Sequence, residues 1–437
     1  GRGALRNEGL KDARMLRLSP RLITAAVLAF FLALLGAQHL LYFISSEASD
    51  QDRDLVDHAT QKLPLLPWIE RVDYDIHLRY HQPGKVHPDV AIVEINERSI
   101  QELGQFPFPR STYALLIERL EAYGAKVAAF DITFPEKERN RAREELLATR
   151  EEMSRAGLSQ SLPLLDARIN QLDGDDAFAR ALRKTKLPVV LGFAFADQNS
   201  MEKGVQNISA AHLELMKKHF IFRRQVSDNA FVHSMGGRLP ILPHPELIES
   251  LQPGSSLGFF VAEPDRDSVI RRAVGVLGFE GTAFTSLAVR AVGSYLGVEP
   301  AVVGEGGLSI QDRNEEGKLY VPLSPLGSYL VRYYGGTPKF PMIEFSDVLS
   351  NKPEVQKAMA EQLKGKIIFI GATAVGLRDI RANPFTENYP GVEVHATFAS
   401  NMLTRSFMER DQLYFLFGYA FVIALGLIVG LFVYRLH

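Results

Sequence analysis

Two long apolar runs bracket the chain and dominate its hydropathy pattern. Residues 22–44 and 413–434 contain no Lys, Arg, Asp or Glu. Each run is about 22 residues long, which lets an α-helix cross a hydrocarbon core of roughly 30 Å. We therefore predict two transmembrane helices, with the polar middle of the chain, residues 45–412, held between them.

The charges that flank the first run predict its orientation. Residues 1–21 carry six Lys or Arg against two acidic residues, whereas residues 45–57 carry five acidic residues against one Arg. The positive-inside rule puts residues 1–21 in the cytoplasm and the large middle outside the bacterial inner (plasma) membrane. A cleaved signal peptide is the alternative, but its apolar region normally spans about 7–15 residues, and this run is longer.

The second run would return the chain to the cytoplasm, where residues 435–437 would lie. A crossing that is followed by three residues has no evident use by itself, and the chain starts with Gly1 rather than Met. We therefore expect the sequence to be a piece of a larger protein.

The middle alternates strand-like apolar runs with amphipathic helices, the pattern of a mixed α/β fold with right-handed βαβ units. The predicted strands are residues 88–96, 126–134, 187–197, 255–263, 269–280, 329–334 and 366–372. The predicted helices are residues 111–123, 175–184, 210–219, 285–296, 343–349 and 395–403. Ser99 is the predicted cap of a further short helix, with Glu102 at the capping-box position.

A helical insertion is predicted at residues 135–172. Ala142, Leu146, Thr149 and Met153 follow heptad-like spacing in its first half, and further apolar residues do the same in its second half. Two interpretations stay open. The insertion is either a helical hairpin on the domain's own surface or a seam for a second subunit.

Composition and motifs exclude several functions. The chain has no Cys, so it has neither a disulfide framework nor a thiolate metal site. Its formal net charge of −2 comes from interspersed charges that form no basic stripe for nucleic acid. The patterns GxSxG, HExxH and GxxxxGK[ST] are absent. We expect no catalytic centre, no metal site and no cofactor in this chain.

Polar residues at the predicted strand ends are the first candidates for a ligand site. Asn96 ends the first strand and Asp131 ends the apolar part of the second. If these parallel strands are neighbours, both residues lie at the carboxyl edge, where open α/β sheets bind ligands. The alternative is that they cap the following loop or helix.

Four further residues are candidate ligand-binding groups. Arg110 follows two prolines and either reaches an anionic ligand or pairs with Asp131. The loop at residues 371–379 either presents backbone N–H groups to an anion or is a tight turn, and Asp379 ends it. His395 is either a signal relay or a capping or core residue. Asp265, with Arg271 and Arg272 nearby, is either a ligand contact or a turn residue.

The sequence blocks resemble a known family. Residues 73–403 are similar to the second class of CHASE sensors, the cyclase- and histidine-kinase-associated extracellular sensory domains. The blocks, in order, are VAIVEINERSIQELGQFPFPR, LEAYGAKVAAFDITF, PDRDSVIRRA and GKIIFIGATAVGLRDIRANPFTENYPGVEVHA. The chain departs from the family pattern at Asn96, where Asp is usual, at Phe106 and Phe108, where Trp is usual, and at Arg266, where Gly is usual.

The resemblance implies an α/β protein with a single extracytoplasmic mixed α/β sensor domain, the helical insertion and two flanking transmembrane helices. In this family the sensor follows one membrane helix and precedes three. The output domain is often a class III adenylate or guanylate cyclase, and sometimes a protein kinase or diguanylate cyclase. Mg and ATP would be needed only by that absent domain.

Three functional hypotheses follow. The leading one is the signal-input module of an inner-membrane receptor, a homodimer in contact with membrane lipid that responds to an unknown extracytoplasmic ligand or envelope protein. The second is a membrane-anchored scaffold that docks another envelope component through the insertion. The third is an extracytoplasmic enzyme that uses Asn96, Asp131 and Asp379.

Overall fold

The computed structural model describes most of the predicted extracytoplasmic region. Its described ranges are residues 65–80, 84–196, 209–218, 239–260, 264–279, 282–298, 300–303, 307–311, 318–324, 327–336, 339–377 and 379–408, with a few single positions after 423. Both predicted membrane segments lie outside these ranges, apart from those single positions. Among the described residues, no helix is long and apolar enough to cross a membrane.

The chain divides into two compact units, residues 1–71 with 409–437, and residues 72–408. The helices are α1 Leu65–Tyr80, α2 Glu97–Leu103, α3 Arg110–Ala122, α4 Arg141–Arg155, α5 Leu162–Gln171, α6 Gly174–Lys184, α7 Ala210–Lys218, α8 Pro245–Glu249, α9 Leu287–Leu296, α10 Phe345–Val348, α11 Pro353–Leu363 and α12 Gly391–Leu403. Short 3₁₀ turns occupy Ser159–Ser161 and Val375–Leu377. The strands are β1 Val90–Ile95, β2 Val127–Phe130, β3 Val189–Phe195, β4 Pro240–Ile241, β5 Ser256–Phe259, β6 Arg272–Val274, β7 Val276–Phe279, β8 Thr282–Thr285, β9 Ala301–Val303, β10 Gly307–Gln311, β11 Lys318–Pro322, β12 Ser328–Leu330, β13 Met342–Glu344, β14 Ile367–Ala372, β15 Ile380–Arg381 and β16 Tyr389–Pro390.

A seven-stranded, mainly parallel sheet forms the centre of the second unit. Its order is β13-β1-β14-β2-β3, and β3 also pairs with β5 in parallel and with β4 in antiparallel fashion. Val90 of β1 lies opposite Ile367 of β14, which lies opposite Val127 of β2. Continuous apolar strands of this kind are typical of a parallel sheet covered on both faces, so the prediction of a mixed α/β domain is confirmed.

Successive side chains of a strand point to opposite faces of the sheet, and helices cover both of these faces. Ala91, Val93 and Ile95 pack in one apolar cluster with residues of α3 and α6. Val90 and Ile92 belong to a second cluster with residues of α9 and α12. The sheet therefore lies between two helical layers, and α12 belongs to the second layer.

The insertion forms the predicted helical hairpin, α4 and α5. Arg150 of α4 pairs with Asp166 of α5, and α4 has no buried residue. The Nδ2 atom of Asn140 donates a hydrogen bond to the carbonyl of Leu172 at 3.3 Å, so the two ends of the hairpin are adjacent. The choice between a surface hairpin and a subunit seam stays open.

Several sequence predictions of elements were wrong. The strand predicted at residues 269–280 is divided into β6, which pairs with β12, and β7, which pairs with β8. The helix predicted at residues 343–349 is present as α10, but it starts two residues later than predicted, because Met342–Glu344 forms β13 and pairs with β1. The cap of α2 is Asn96, whereas Ser99 is buried inside the helix. Helix α11 and the β9–β11 meander were not predicted.

Candidate functional site

A cavity of ≈ 920 Å³ lies at the carboxyl edge of the central sheet. Asp131 follows β2, Ala372 ends β14 and Phe260 follows β5, and all three line the cavity. Its other walls come from residues 103–110, residues 132–139 and the first turns of α12. This is the edge at which open parallel sheets bind ligands, and the volume is in the range of small-molecule sites.

Asp131 lies in this cavity with its carboxyl group nearly enclosed. Its backbone N–H extends the β2–β14 ladder by donating to the carbonyl of Ile370 at 2.8 Å. The side chain is 6% exposed, and its Oδ1 atom lies 3.7 Å from the Nε2 atom of His395, beyond hydrogen-bond length. Burial, with the negative charge of Asp379, raises the pKa of Asp131 well above its usual value, and Arg381 acts in the opposite direction.

His395 faces Asp131 from α12. The side chain is 12% exposed, and the edge of the imidazole meets the Phe260 ring at a centroid distance of 6.4 Å. Burial, with the nearby charge of Arg381, lowers the pKa of His395 to about 4, so the ring is neutral at neutral pH. His395 lies inside α12 rather than at its end, so the capping alternative is wrong.

Asp379 joins the same cavity from the segment before β15. Its carbonyl accepts a hydrogen bond from the N–H of Gly391 at 3.0 Å, and its Oδ1 atom lies 3.2 Å from Nη2 of Arg381. A Cβ atom on Gly391 would come within 2.5 Å of Oδ2 of Asp379, so only glycine allows this approach. Burial raises the pKa of Asp379, although Arg381 lowers it.

The loop at residues 371–379 is a tight turn rather than an anion cradle. The N–H groups of Thr373 and Ala374 donate to the carbonyl of Ile95 at 3.0 and 3.1 Å. The N–H of Val375 donates to Oε1 of Glu97 at 2.8 Å. Because these donors already have protein acceptors, the tight-turn alternative fits the structure and the anion-binding alternative does not.

Arg110 lines the cavity but does not pair with Asp131. Its Nε atom lies 3.6 Å from Oδ1 of Asp175 on α6, and its backbone N–H donates to Oε2 of Glu138 at 3.2 Å. The guanidinium carbon lies 4.5 Å from the centroid of the Phe134 ring. Burial lowers the pKa of Arg110, and the charge of Asp175 partly offsets this. Arg110 is thus held by protein groups, and the predicted pair with Asp131 is wrong.

Asn96 and Asp265 lie outside the cavity. The Oδ1 atom of Asn96 accepts the N–H of Ser99 at 2.9 Å and caps α2. Strand β14 lies between β1 and β2. Asn96 and Asp131 therefore do not follow neighbouring strands, which was the condition for a shared site. The capping alternative is correct for Asn96.

Asp265 belongs to a separate charge cluster around Arg271. Two guanidinium atoms of Arg271 bind the two oxygens of Asp75 at 2.8 Å each. Asp265 and Asp267 each accept from Arg271 at 2.9 Å. Burial lowers the pKa of Arg271, but the hydrogen bonds that it donates to these carboxylates raise it by more. The cluster ties α1 to the segment before β6, and its member Asp75 was not among the predicted site residues.

The cavity therefore unites four of the six predicted site residues, Arg110, Asp131, Asp379 and His395. The sequence did not point to Arg381, which pairs with Asp379, or to Phe260, which packs against His395. No group of three or more His, Asp or Glu side chains suited to a metal ion occurs among the described residues.

The chain belongs to the CHASE2 domain family, whose profile matches residues 56–433. The resemblance predicted from the four sequence blocks is thereby confirmed. CHASE2 domains are sensor domains, typically extracytoplasmic signal-input modules of membrane signalling proteins. No curated protein and no solved structure matches the chain.

Proposed function

We propose that this CHASE2 domain is the input module of a bacterial inner-membrane receptor whose stimulus is a small molecule bound in the cavity at the sheet edge. One observation carries the proposal. Helix α12 begins at the cavity, contributes Gly391, Val394 and His395 to its wall, and ends at Leu403. The second apolar run begins at residue 413, so α12 connects the cavity along the chain to the predicted crossing.

The packing of α12 on the sheet supports a mechanism. A Cβ atom on Gly371 of β14 would lie 2.6 Å from Cβ of Val392 on α12, so helix and strand are in close contact. A ligand that prefers one position of α12 shifts the population toward that position. The segment from Leu403 to Leu413 then passes the displacement to the membrane.

We extend the proposal to the output. The usual arrangement in the family supports a homodimer that controls a cytoplasmic class III adenylate or guanylate cyclase. Mg and ATP would bind that output domain, while the sensor contacts membrane lipid only through its flanking segments. A protein kinase or a diguanylate cyclase in the same place is the alternative output.

Cyclic AMP in cells tests the sensing role. The parent receptor, expressed in a bacterial strain without another adenylate cyclase, is expected to make cyclic AMP. Asp131→Asn should change the output per receptor molecule several-fold, whereas Glu118→Gln, on the exposed side of α3, should not. Unchanged output per molecule with reduced protein level would assign Asp131 to folding alone and overturn the role of the cavity. No cyclic AMP from the unmodified receptor would overturn the cyclase output.

Cysteine labelling tests the location. The chain has no Cys, so an introduced one is the only thiol. Leu164 on α5 is 81% exposed, and Leu164→Cys should react with a membrane-impermeant maleimide in intact spheroplasts. Reaction only after lysis would place the domain in the cytoplasm and contradict the proposal.

A scaffold role is the second candidate, and the hairpin favours it. Helix α4 buries none of its residues, and Leu158 and Leu164 are exposed apolar residues of the hairpin. On this hypothesis the hairpin docks another envelope protein. Removal of the hairpin would then abolish recruitment of that protein while leaving the cavity intact.

A further inference from the structure

The carboxyl group of Asp131 makes no hydrogen bond with the residues that the structure describes. Its side chain is 6% exposed and lines the cavity. Its Oδ1 atom lies 3.7 Å from the Nε2 atom of His395, beyond hydrogen-bond length. Asp379 contributes a second carboxyl group to the same cavity. Buried carboxyl groups are normally hydrogen-bonded, so a ligand that donates a hydrogen bond to Asp131 would complete this arrangement.

The cations that line the cavity do not supply that donor. The guanidinium group of Arg110 lies 3.6 Å from Asp175 and donates to the carbonyl of Glu136. Arg381 pairs with Asp379, and its own side chain is half exposed. Lys137 and Arg139 lie on the exposed segment that forms the cavity rim. The deep part of the cavity is therefore acidic, and the basic groups lie at its edge or in other ion pairs.

The electrostatics of Asp131 agree with this geometry. Burial and the charge of Asp379 raise its pKa, and the opposing effect of Arg381 is the weakest of the three. A bound anion would add a further negative charge beside two carboxyl groups. A bound cation would stabilise the ionised form of Asp131 and offset part of the cost of its burial.

We infer that the ligand of this cavity is a small organic ammonium compound whose N–H groups donate to the carboxyl of Asp131. The inference rests on the proposed function and specifies its ligand class. Phe260 packs against His395 at this place, and Phe106 also lines the cavity. Aromatic rings near an ammonium group add cation–π attraction, so the apolar part of the ligand lies against these rings.

Three probes of matched size and different charge test the ligand class. Benzylamine, benzyl alcohol and benzoate are titrated into the full chain in detergent, and binding is followed by calorimetry and thermal unfolding. Benzylamine should bind about tenfold more tightly than the other two, because it alone makes a charge-assisted hydrogen bond with Asp131. Asp131→Asn should remove that preference.

Asp166→Asn, on the hairpin, is the matched control and should keep the preference for benzylamine. If Asp131→Asn lowers the yield of folded protein, Asp379→Asn provides the second measurement and should weaken the preference. Tighter binding of benzoate, or no binding of benzylamine at millimolar concentration, would overturn the ligand class. A preference that persists in Asp131→Asn would overturn the assigned contact. The cyclic AMP assay of Asp131→Asn reports on the sensing role separately.

Discussion

The Nε2 atom of His395 lies 3.7 Å from the Oδ1 atom of Asp131, and both side chains are buried. One residue follows β2 in the sheet and the other lies on α12. Burial lowers the pKa of His395 and raises the pKa of Asp131, so both groups are held toward their neutral forms. Any ligand or proton that charges one of them changes the contact between the sheet and α12.

The stability of the domain should decrease in mild acid because of His395. Its pKa is about 4 in the folded protein, compared with 6.5 for an ordinary histidine. As the pH falls from about 6.5 to about 4, the unfolded chain binds a proton that the folded protein does not. This difference lowers the free energy of unfolding by about 3 kcal/mol over the whole window. Chemical denaturation at several pH values measures it.

His395→Gln should remove that part of the pH dependence. Asp131, Asp379 and Arg381 face the same region, and the raised pKa of Asp131 has the opposite sign, since its stabilisation is present in acid and is lost as the pH rises. That opposite trend should therefore be more visible in the variant. His212→Gln, on α7, is the control and should keep the original slope. An unchanged slope in His395→Gln would assign the acid effect to other groups.

The second prediction concerns Arg271 and the attachment of α1. Arg271→Ala leaves Asp75, Asp265 and Asp267 without their common cation. The Arg271 side chain is 5% exposed, and removing one partner of a buried ion pair typically costs about 3–5 kcal/mol. We expect a loss near the lower value, because the carboxylates are partly exposed. Arg271→Lys keeps the charge but not the paired hydrogen bonds. Its stability should therefore lie between that of the unmodified protein and that of Arg271→Ala.

Arg98 provides a matched control for Arg271. It also contacts three carboxylates, those of Glu102, Glu344 and Asp347, but its side chain is 51% exposed. Since solvent screens exposed pairs, Arg98→Ala should lower the denaturation midpoint far less than Arg271→Ala. Equal losses would show that burial does not set the strength of the Arg271 cluster.

The third prediction concerns the contact between Gly371 and Val392. In Gly371→Ala the new methyl group would lie 2.6 Å from Cβ of Val392, so α12 must move away from β14. Overpacking of this kind costs about 1–3 kcal/mol, and the basal output of the receptor should change because α12 is displaced. Gly376→Ala is the control, since a Cβ atom there has nothing within 4 Å.

A compensating substitution makes that prediction specific. Val392→Ala keeps Cβ but removes Cγ2, which would lie 2.8 Å from the new methyl group, so the double variant Gly371→Ala with Val392→Ala should recover part of the stability that Gly371→Ala alone loses. The thermal unfolding midpoints of the four proteins form a double-mutant cycle. Additive effects would mean that the two positions do not interact and that α12 is not displaced.

Local sequence patterns predicted the elements whose own residues form an apolar run or mark a helix end. Strands β1, β2 and β14 are continuous apolar runs, and α9 matches the predicted helix at residues 285–296 and is followed by Gly297 in a left-handed conformation. Strand β13 is only three residues long and is defined by its pairing with β1. Pairing of this kind depends on the whole fold, so local periodicity assigned the last two residues of β13 to the following helix, α10.

The site shows the same limit. Asp131 and Asp379 were selected because polar residues after apolar strands collect at one edge of a parallel sheet. Arg110 pairs with Asp175 and not with Asp131. Asp175 follows the insertion in the sequence, so no local pattern connects it with Arg110. Asp75 and Arg271 are 196 positions apart, and no local pattern connects them. Strand order likewise placed β14 between the two strands that were expected to be neighbours.

The last prediction concerns the hairpin formed by α4 and α5. The Asn140 side chain bonds to the carbonyl of Leu172, so a short Gly-Ser loop can replace residues 141–171 without moving the ends of the insertion. The domain should stay folded, with a modest decrease in its thermal midpoint, because α4 buries no residue and α5 buries only Ile169. Light scattering of the full chain in detergent then distinguishes the two hypotheses for the hairpin. An unchanged oligomeric state identifies a surface hairpin, whereas a shift to a smaller species identifies a subunit seam. Loss of the folded domain would contradict the prediction that the hairpin is independent of the core.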